Sequence, residues 1–461
     1  MTPEAVDVVV IGAGPAGMSA AIAASQAGAS VVLLDEQAAP GGQIYRAITQ
    51  VDADARRLDV LGPDYGAGRP LAEAFARCGA RHEAGVAVWE VTRDHQVHAL
   101  QNGGVRSWQA RRVVLATGAM ERPFPIPGWT LPGVMTAGAA QILLKTAQLV
   151  PTTGGLVLSG CGPLLYLLGW QYLRAGVKIS AIVDTTDRAD HRRALAHAAG
   201  ALRGWRVLAK GLKLMTALRR AGVPFFTGAT GLAVEGTDHA QALRFEAGGR
   251  SHRIEAATVL LHQGVVPNTQ FSWSLRAEHR WDEAQLCWTP QADAWGELSV
   301  PGIFIAGDGG GIGGALAAAC QGTLAGLAAA AQLARIDAAE RDRRAAPVRA
   351  ELATQLAIRP FLDALYRPKL RVPADDVIVC RCEEVTAGDL RAHVALGCTG
   401  PNQAKSFGRC GMGPCQGRLC GLTVTEVIAE ARGVSPAEVG YYRIRPPIKP
   451  ITLGELAREA R

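Results

Sequence analysis

The stretch VDVVVIGAGPAGMSAAIAASQAGASVVLLDE, residues 6–36, reads as a strand, a glycine loop, a helix and a second strand that ends in an acid. Gly12 allows the tight turn after the strand, and Gly14 lets the backbone approach a pyrophosphate. Gly17 lets the helix pack closely against the strand. The helix N-terminus would face the phosphates with its partial positive charge. The stretch therefore predicts a dinucleotide site on an α/β sheet.

The acid at the end of the second strand completes this pattern. Asp35 is expected to accept hydrogen bonds from a ribose, with Glu36 as the neighbouring candidate. The loop residues predicted to line the site are Gly12, Gly14, Pro15, Ala16 and Gly17.

Three further motifs indicate which dinucleotide is held: APGGQIYR at 39–46, VVLATGAMERPFPIPG at 113–128 and VPGIFIAGDGGGIGG at 300–314. With them the chain resembles the two-dinucleotide-domain flavoproteins of the glutathione and thioredoxin reductase class. The resemblance implies FAD in the first site. A Gly-Asp pair meets the flavin's ribityl and pyrophosphate region in that class, and Asp308 can also cap the following helix. The contacts implied for FAD are Gly42, Gln43, Ala116, Thr117, Gly118, Gly307 and Asp308.

A second strand, loop and helix follow in GGLVLSGCGPLLYLLGWQYLRAGVKISAIVD, residues 154–184. Gly160 and Gly162 fit a nicotinamide site, but Leu165 stands where a third small residue would permit close helix packing. Asp184 then reads either as a ribose acceptor or as a polar strand end. The next forty residues read as helical and are longer than a nicotinamide domain needs. We expect a repurposed domain that does not use NAD(P) productively.

Composition bounds the remaining possibilities. The chain has 461 residues, of which 48% are hydrophobic and 19% are charged. Its net charge is +7, but the sequence contains no long basic run that would indicate nucleic-acid binding. No basic, cleavable leader precedes the first strand, and the apolar residues 312–334 read as a buried helix rather than a membrane span. These features predict a cytoplasmic protein without a transmembrane segment. Peripheral attachment to the inner membrane through a complex is the alternative.

The cysteines are concentrated near the end of the chain. Six of the ten fall within about forty residues: Cys380, Cys382, Cys398, Cys410, Cys415 and Cys420. No CxxC pair precedes them, so transfer from flavin to a disulfide is not the expected chemistry. Zinc is one candidate metal for these thiol ligands, although zinc sites more often pair ligands two to four residues apart or include histidine. A [2Fe–2S] cluster, with two cysteines on each iron, is the other.

The cysteine-rich segment resembles the [2Fe–2S] module of bacterioferritin-associated ferredoxin, which also ends some glycerol-3-phosphate dehydrogenases. Glycines in GMGPCQGRLC can point backbone N–H groups at cluster sulfurs. His393 is expected to lie on a helix surface. The resemblance implies Cys380, Cys382, Cys415 and Cys420 as ligands, with Cys410 as an alternative to one of the second pair and Cys398 as a further thiol.

The order of the parts predicts an α/β fold of two dinucleotide-binding domains followed by a small helical [2Fe–2S] domain. We divide the chain into a first FAD-binding part, a nicotinamide-like insert, a second FAD-binding part, a linker and the cluster domain with its tail. The predicted boundaries are 1–150, 151–256, 257–345, 346–376 and 377–461.

Taken as a whole, the chain resembles the α (A) subunits of opine oxidases, the B subunits of hydrogen cyanide synthases and the corresponding subunits of D-hydroxyproline and dye-linked proline dehydrogenases. The stretches that carry this resemblance are LPGVMTAGAAQILLK, GVVPNTQ, CGMGPCQGRLCG and RPPIKPITLGELA. The resemblance implies a D-amino-acid-oxidase-like β subunit that carries the substrate flavin. It also allows a small iron–sulfur γ subunit, together with an FMN where two subunits meet.

No substrate-oxidising constellation, such as a histidine/carboxylate base, is evident in the sequence, and catalytic residues are therefore not assigned. The leading hypothesis is an electron-transfer subunit of an amino or imino acid dehydrogenase of the D-hydroxyproline, opine or proline type, serving an acceptor the sequence does not identify. The alternatives are a self-sufficient NAD(P)H-dependent acceptor reductase and a scaffold subunit that binds a nucleotide structurally.

Overall fold

The opening stretch folds as predicted in the computed structural model, which describes residues 3–50, 55–369 and 372–458. Apolar residues of the first strand are buried on both faces, as in a parallel sheet covered by helices. The first three elements are β1 (Glu4–Ile11), α1 (Pro15–Gln26) and β2 (Val31–Asp35).

The rest of the N-terminal part begins with three short helices. Six strands follow, of which the second, third and fourth pair antiparallel, and then a longer helix. Its elements are α2 (Ala55–Leu61), α3 (Pro63–Gly66), α4 (Arg69–Arg77), β3 (Arg81–Ala84), β4 (Ala87–Val91), β5 (Gln96–Gln101), β6 (Gly104–Leu115), β7 (Ala119–Glu121), β8 (Val134–Thr136) and α5 (Ala137–Ala147).

The middle part contains a second strand-helix-strand unit, the predicted helical segment and a three-stranded antiparallel sheet. Its elements are β9 (Leu156–Cys161), α6 (Pro163–Arg174), β10 (Ala181–Asp184), α7 (Arg188–Leu195), α8 (Ala198–Arg203), α9 (Trp205–Arg220), β11 (Phe225–Thr227), β12 (Thr230–Glu235), β13 (Ala242–Ala247), β14 (Arg250–Glu255) and β15 (Thr258–Gln263).

The chain then adds short strands and one short helix, returns to the first sheet with a single strand, and continues into three further helices. These elements are β16 (Val265–Pro267), α10 (Gln270–Ser274), β17 (His279–Asp282), β18 (Cys287–Pro290), β19 (Ile303–Ile305), α11 (Ala315–Gln332), α12 (Ala338–Leu356) and α13 (Arg359–Leu365). The C-terminal part is β20 (Ile378–Cys380), β21 (Val385–Thr386), α14 (Ala387–Ala395), α15 (Pro401–Gly408), α16 (Gly421–Arg432), α17 (Pro436–Val439) and α18 (Leu453–Leu456).

Two sheets with parallel cores organise the fold. The first has seven strands in the order β3-β2-β1-β6-β5-β4, with β19 also paired to β6, and the second has the order β11-β10-β9-β15-β8. The predicted fold class, with two dinucleotide-type sheets, is thus confirmed.

Two strands lie across the predicted domain boundaries. β8 was assigned to the first FAD-binding part and β15 to the second, but they pair with each other in the second sheet. Short apolar strands show their period in the sequence but not their partner, so this pairing was not evident from the sequence. The domain boundaries stay predictions.

The predicted buried helix is α11. A Cβ on Gly322 would lie 2.0 Å from the Ala16 carbonyl oxygen, and one on Gly326 would lie 2.4 Å from that of Ala20. Helices α1 and α11 therefore touch along their backbones. Among the described residues one helix, α11, is long and apolar enough to cross a membrane by length and composition, and 56% of it is buried inside the protein.

The predicted linker, 346–376, is largely helical. It contains the end of α12 and all of α13, in which Pro360 occupies the first turn, where proline is tolerated rather than disruptive. Residues 370 and 371 of this linker lie outside the described residues.

The C-terminal part packs against both halves of the body. The Trp129 indole donates to the Ile378 carbonyl oxygen at 2.8 Å, and the Tyr441 ring stacks on Trp273. Its tail runs back along the first sheet, where the Ile448 amide donates to the Trp89 carbonyl oxygen at 3.0 Å. The cysteine-rich segment is therefore fixed to the flavoprotein-like body.

Candidate functional site

Glycines from separate loops form the first dinucleotide cradle. A Cβ on Gly17 would lie 1.8 Å from the Gly12 carbonyl oxygen, and one on Gly42 would lie 2.7 Å from the Gly14 Cα. A Cβ on Gly307 would lie 2.8 Å from that of Ala16. The loops after β1, β2 and β19 thus converge at the N-terminus of α1, where Gly14 provides no side-chain cap to the first turn. Open backbone N–H groups at a helix N-terminus suit a pyrophosphate, so the cradle fits FAD.

The two candidate ribose acids have different surroundings. Asp35 accepts hydrogen bonds from the amides of Ala13 at 2.5 Å and Gln37 at 2.7 Å, one on each carboxylate oxygen. Glu36 instead forms an ion pair with Lys449 of the C-terminal tail. Asp35 therefore fixes the loop while keeping lone pairs for a ribose, and the ribose contact stays a prediction.

Residues of the C-terminal part line a cavity next to Glu36. Glu36, Arg418 and Lys449 line a cavity of about 480 Å³, and Arg418 lies between two of the clustered cysteines. The sequence did not indicate this contact because Arg418 and Lys449 are separated from Glu36 by nearly the whole chain.

The remaining predicted FAD contacts meet near the end of β6. Asp308 accepts the amides of Gly313 and Gly314, both at 2.9 Å, so it braces the turn that leads into α11. The Asn268 amide donates to the Gly118 carbonyl oxygen at 2.9 Å, and the Thr117 hydroxyl donates to the Asn268 carbonyl oxygen. The Ala116-Thr117-Gly118 turn and the GVVPNTQ stretch are therefore held together.

A buried lysine, which the sequence analysis missed, holds the loop that contains Gln43. The Lys145 ammonium donates to the carbonyl oxygens of Gln43 at 2.9 Å and Ile44 at 3.0 Å, and to the Gln141 side chain at 3.1 Å. Burial lowers the pKa of Lys145 to about 7. Lys145 ends the LPGVMTAGAAQILLK stretch, and its role here is to position the loop.

Side chains of the second dinucleotide unit pair with one another at its crevice. Tyr166 donates its hydroxyl to the buried Asp184, whose pKa is raised by burial, so this acid is already bound within the protein. The Lys369 ammonium, just beyond α13, binds Asp187 at 2.8 Å and Asp190 at 2.6 Å. These contacts lie at the carboxyl ends of β9 and β10, where an open α/β sheet would receive a nucleotide.

A histidine and a carboxylate meet beside this crevice. The His262 Nδ1 atom pairs with Glu121, and the other Glu121 oxygen accepts the Gly138 amide at 2.9 Å. The His262 ring lies against Gly162 and borders a cavity of about 190 Å³. The pair was not evident in the sequence because Glu121 and His262 are 141 residues apart.

A buried arginine connects this pair to the cysteine-rich part. The Arg122 guanidinium donates to the carbonyl oxygens of Leu286 at 2.9 Å and Gln285 at 2.6 Å, and lies 3.9 Å from Glu426 on α16. Burial raises the pKa of Glu426 to about 7. The helix that follows the last cysteine therefore contacts the residue next to Glu121.

Five of the six clustered cysteines form one network of thiols. The Sγ atoms of Cys380, Cys410 and Cys420 all lie within 4.8 Å of one another and are buried. Cys415 hydrogen-bonds with Cys420 and also with Cys382. The four thiols predicted as ligands are thus brought together, and Cys410 joins them. Cys398 is separate, and its sulfur donates to the Gly400 carbonyl oxygen at 3.4 Å.

Thiol contacts and backbone amides both act on these sulfurs. Hydrogen bonds from Cys410 and Cys420 lower the pKa of Cys380 to about 2, and that from Cys420 lowers the pKa of Cys415 to about 5. The hydrogen bond to Cys380 raises the pKa of Cys410 to about 12. Amides of Gly411 and Gly417 also hydrogen-bond to Cys380 and Cys415, respectively. Burial raises the pKa of Cys382, and the hydrogen bonds to Cys380, Cys410 and Cys415 raise the pKa of Cys420. The network therefore favours the thiolate, the form in which cysteine binds metals, at Cys380 and Cys415.

The glycines of this segment have a second role that the sequence analysis missed. Cβ atoms on Gly411 and Gly417 would lie 2.4 and 2.5 Å from atoms of the Tyr442 ring. The Tyr442 hydroxyl lies 3.5 Å from the Cys410 Sγ and 3.9 Å from the Cys420 Sγ. The glycines thus make room for a buried tyrosine beside the thiols.

Gly417→Ala is expected to destabilise the cysteine-rich part by about 3 kcal/mol or more, because the new Cβ collides with Tyr442 in addition to the strain of a positive φ. Gly433→Ala is the matched control, since Gly433 also has a positive φ but no atom within 4 Å of its Cβ position, and about 1 kcal/mol is expected. Urea unfolding of both variants measures the difference. Equal losses would show that the Tyr442 contact has no energetic weight.

Comparisons with known proteins cover both parts of the chain. A model of the pyridine nucleotide-disulphide oxidoreductase family matches residues 6–322, and one of the sarcosine oxidase A3 domain matches residues 376–460. The opine oxidase A subunit of Agrobacterium tumefaciens (strain Ach5) is 48% identical over 98% of this chain and 91% of its own length.

Two further proteins are similar over nearly the whole chain. Hydrogen cyanide synthase subunit HcnB of Pseudomonas aeruginosa is 30% identical, over 96% of each chain. The crystal structure of L-proline dehydrogenase from P. horikoshii superposes with a TM-score of 0.70 at 20% identity, covering 99% of this chain and 81% of the other. The last comparison supports the fold alone.

Proposed function

Because the chain belongs to the pyridine nucleotide-disulphide oxidoreductase family and to the family of opine oxidase A subunits, we propose that it is the FAD- and [2Fe–2S]-binding subunit of a hetero-oligomeric amino or imino acid dehydrogenase. It is an oxidoreductase subunit of a hetero-oligomeric complex. Beyond the family assignment, the proposal specifies the two cofactors, the partner and the substrate class.

The observation that carries the proposal is the combination of three sites in one chain. The glycine cradle fits FAD and the five thiols fit an iron–sulfur cluster, whereas acids at the crevice that would receive NAD(P)H are already paired with Tyr166 and Lys369. A chain so built has two places to hold electrons, and its paired acids argue against nicotinamide in this proposal.

The residues of the chain have definite roles toward these groups. Bound FAD would supply one- and two-electron chemistry and a [2Fe–2S] cluster one-electron chemistry. The first turn of α1 would bind the pyrophosphate, and Asp35 the ribose. Cys380 contacts Cys410 and Cys420, and Cys415 contacts Cys420 and Cys382. Thiols gathered in this way suit a cluster with two cysteines on each of two irons. Cys410, which contacts Cys380 and Cys420, is the alternative ligand.

The relatives support the proposed partner and substrate class. We propose a β subunit related to D-amino-acid oxidases that oxidises a C–N bond of an opine or D-hydroxyproline, with proline as a further candidate. A small iron–sulfur γ subunit, with an FMN where the subunits meet, completes the assembly in this proposal. Electrons then leave through this chain to an external acceptor.

Reduction of the purified, FAD-loaded chain tests this division of labour. NADH and NADPH are expected to leave the flavin absorbance unchanged over minutes, and opines or D-hydroxyproline are expected to bleach it only after the β subunit is added. The measurement is anaerobic stopped-flow absorbance, with dithionite as the control that the flavin is reducible. Rapid bleaching by NADH or NADPH would establish the alternative, an NAD(P)H-dependent acceptor reductase. A flavin that resists all donors in the assembled complex would leave only a structural scaffold.

A further inference from the structure

The helical segment α8–α9 has an unusual charge. Between Ala198 and Arg220 the two helices contain six arginines and lysines and no acidic residue, in a chain whose net charge is +7. Only Gly204 separates α8 from α9, so the two helices form an almost continuous basic surface element.

One side of α9 anchors the element to the protein. Leu214 and Leu218 are 8% and 0% exposed and pack into the main core with α6. This burial fixes which side of the helix faces solvent.

The opposite side has an apolar stripe that nothing in the chain covers among the described residues. Trp205 and Leu212, seven residues apart on one helical stripe, are 59% and 60% exposed, and Leu202 at the end of α8 is 74% exposed. Large apolar side chains scattered singly on a surface need no explanation, but two on one helical stripe with a third at the adjoining end of α8 do.

A basic stripe runs beside the apolar one. Arg206, Lys213 and Arg220 are spaced by seven residues and are exposed. Within the described part of the chain Lys213 and Arg220 have no ion pair or hydrogen bond. We call Leu202, Trp205 and Leu212, together with Arg206, Lys213 and Arg220, the outer face.

We propose that the outer face docks on an anionic phospholipid membrane. Tryptophan and leucine flanked by lysine and arginine is the composition of a helix that lies in a membrane interface, with the apolar side chains in the acyl boundary and the cations at the phosphates. The centre of a protein–protein interface is enriched in arginine and aromatic residues but depleted in lysine and in charged residues generally. The outer face combines exposed cations and apolar groups without any acid, which fits lipid headgroups better than a second protein.

Vesicle co-sedimentation of the full chain tests the proposal. The chain is expected to sediment at low salt with vesicles of equal parts phosphatidylglycerol and phosphatidylcholine, and to stay in solution with phosphatidylcholine alone or at high salt. Arg206→Gln with Lys213→Gln is expected to lower partitioning about 25-fold, at about fivefold per cation. Trp205→Ser with Leu212→Ser is expected to lower it about tenfold or more.

Two control pairs of substitutions distinguish the outer face from the total charge and total exposed apolar area of the chain. Arg93→Gln with Arg250→Gln removes the same charge from exposed sites elsewhere, and Leu453→Ser with Leu456→Ser removes apolar side chains that are 84% and 48% exposed on α18. Both are expected to sediment like the unchanged chain, and circular dichroism checks that all variants are folded. Failure of the unchanged chain to bind anionic vesicles, or equal losses in the controls, would overturn the proposal. So would outer-face variants that bind vesicles normally but no longer assemble with the β subunit, since the face would then be a subunit interface.

Discussion

Cys380→Ser is expected to reduce bound iron from about two atoms per chain to nearly none, because the Cys380 sulfur lies within the three-thiol group and a serine hydroxyl is a poor ligand for iron in a cluster. The same loss is expected for Cys420→Ser, whose sulfur contacts Cys380, Cys410 and Cys415. Iron and acid-labile sulfide analysis of protein reconstituted anaerobically, together with the visible absorbance of the cluster, measures the effect.

Cys398→Ser is the matched control for these substitutions. Cys398 is 1% exposed and belongs to the same part of the chain, but its sulfur contacts the Gly400 carbonyl oxygen rather than the other thiols. It is expected to keep its iron. Iron retained by Cys380→Ser, or zinc found in place of iron in the unchanged chain, would contradict the cluster assignment.

Cys410→Ser separates the two ligand sets. If Cys380, Cys382, Cys415 and Cys420 hold the irons, this variant is expected to keep about two irons per chain while its electron paramagnetic resonance spectrum changes, since Cys410 contacts two of the ligands. Loss of iron would instead make Cys410 a ligand and release one of the others.

Local patterns made the first sheet, the glycine cradle and the cysteine cluster predictable. Residues 6–35 specify a strand, loop, helix and strand in one stretch, the cradle glycines occur in short motifs that follow separate strands, and the cysteine spacing restricts which thiols can meet. Residues whose partners are far along the chain were not predictable. Glu121 with His262 and Glu36 with Lys449 meet only because the sheets and tail have folded.

The second dinucleotide unit combines a feature visible in the sequence with one that was not. Leu165, which indicated an altered site, lies fully buried on α6, and the absence of productive NAD(P) use stays a prediction. The stronger obstacle is Lys369, which reaches Asp187 and Asp190 from a segment read as a linker. A proline-containing stretch looks like a connection in sequence, whereas packing against α7 is a tertiary property.

Gly14→Ala and Gly17→Ala are expected to separate cofactor binding from folding. Gly14 has φ −74°, a conformation open to alanine, and its Cβ would come no closer than 3.8 Å to another described residue, the nearest atom being the Gly42 Cα. The unfolding free energy of the apoprotein is therefore expected to change by less than about 0.5 kcal/mol. FAD affinity is expected to fall by about tenfold or more, because the methyl group enters the space through which the backbone approaches the pyrophosphate.

Gly17→Ala is expected to damage the fold itself. Its Cβ would lie 1.8 Å from the Gly12 carbonyl oxygen, so α1 must move away from β1, at a cost of about 3 kcal/mol or more in the apoprotein. FAD titration by fluorescence quenching and urea unfolding of the apoprotein measure the two quantities in both variants. Retained FAD affinity in a stable Gly14→Ala protein would mean that the pyrophosphate does not lie against this loop, and the cradle would then serve packing rather than the cofactor.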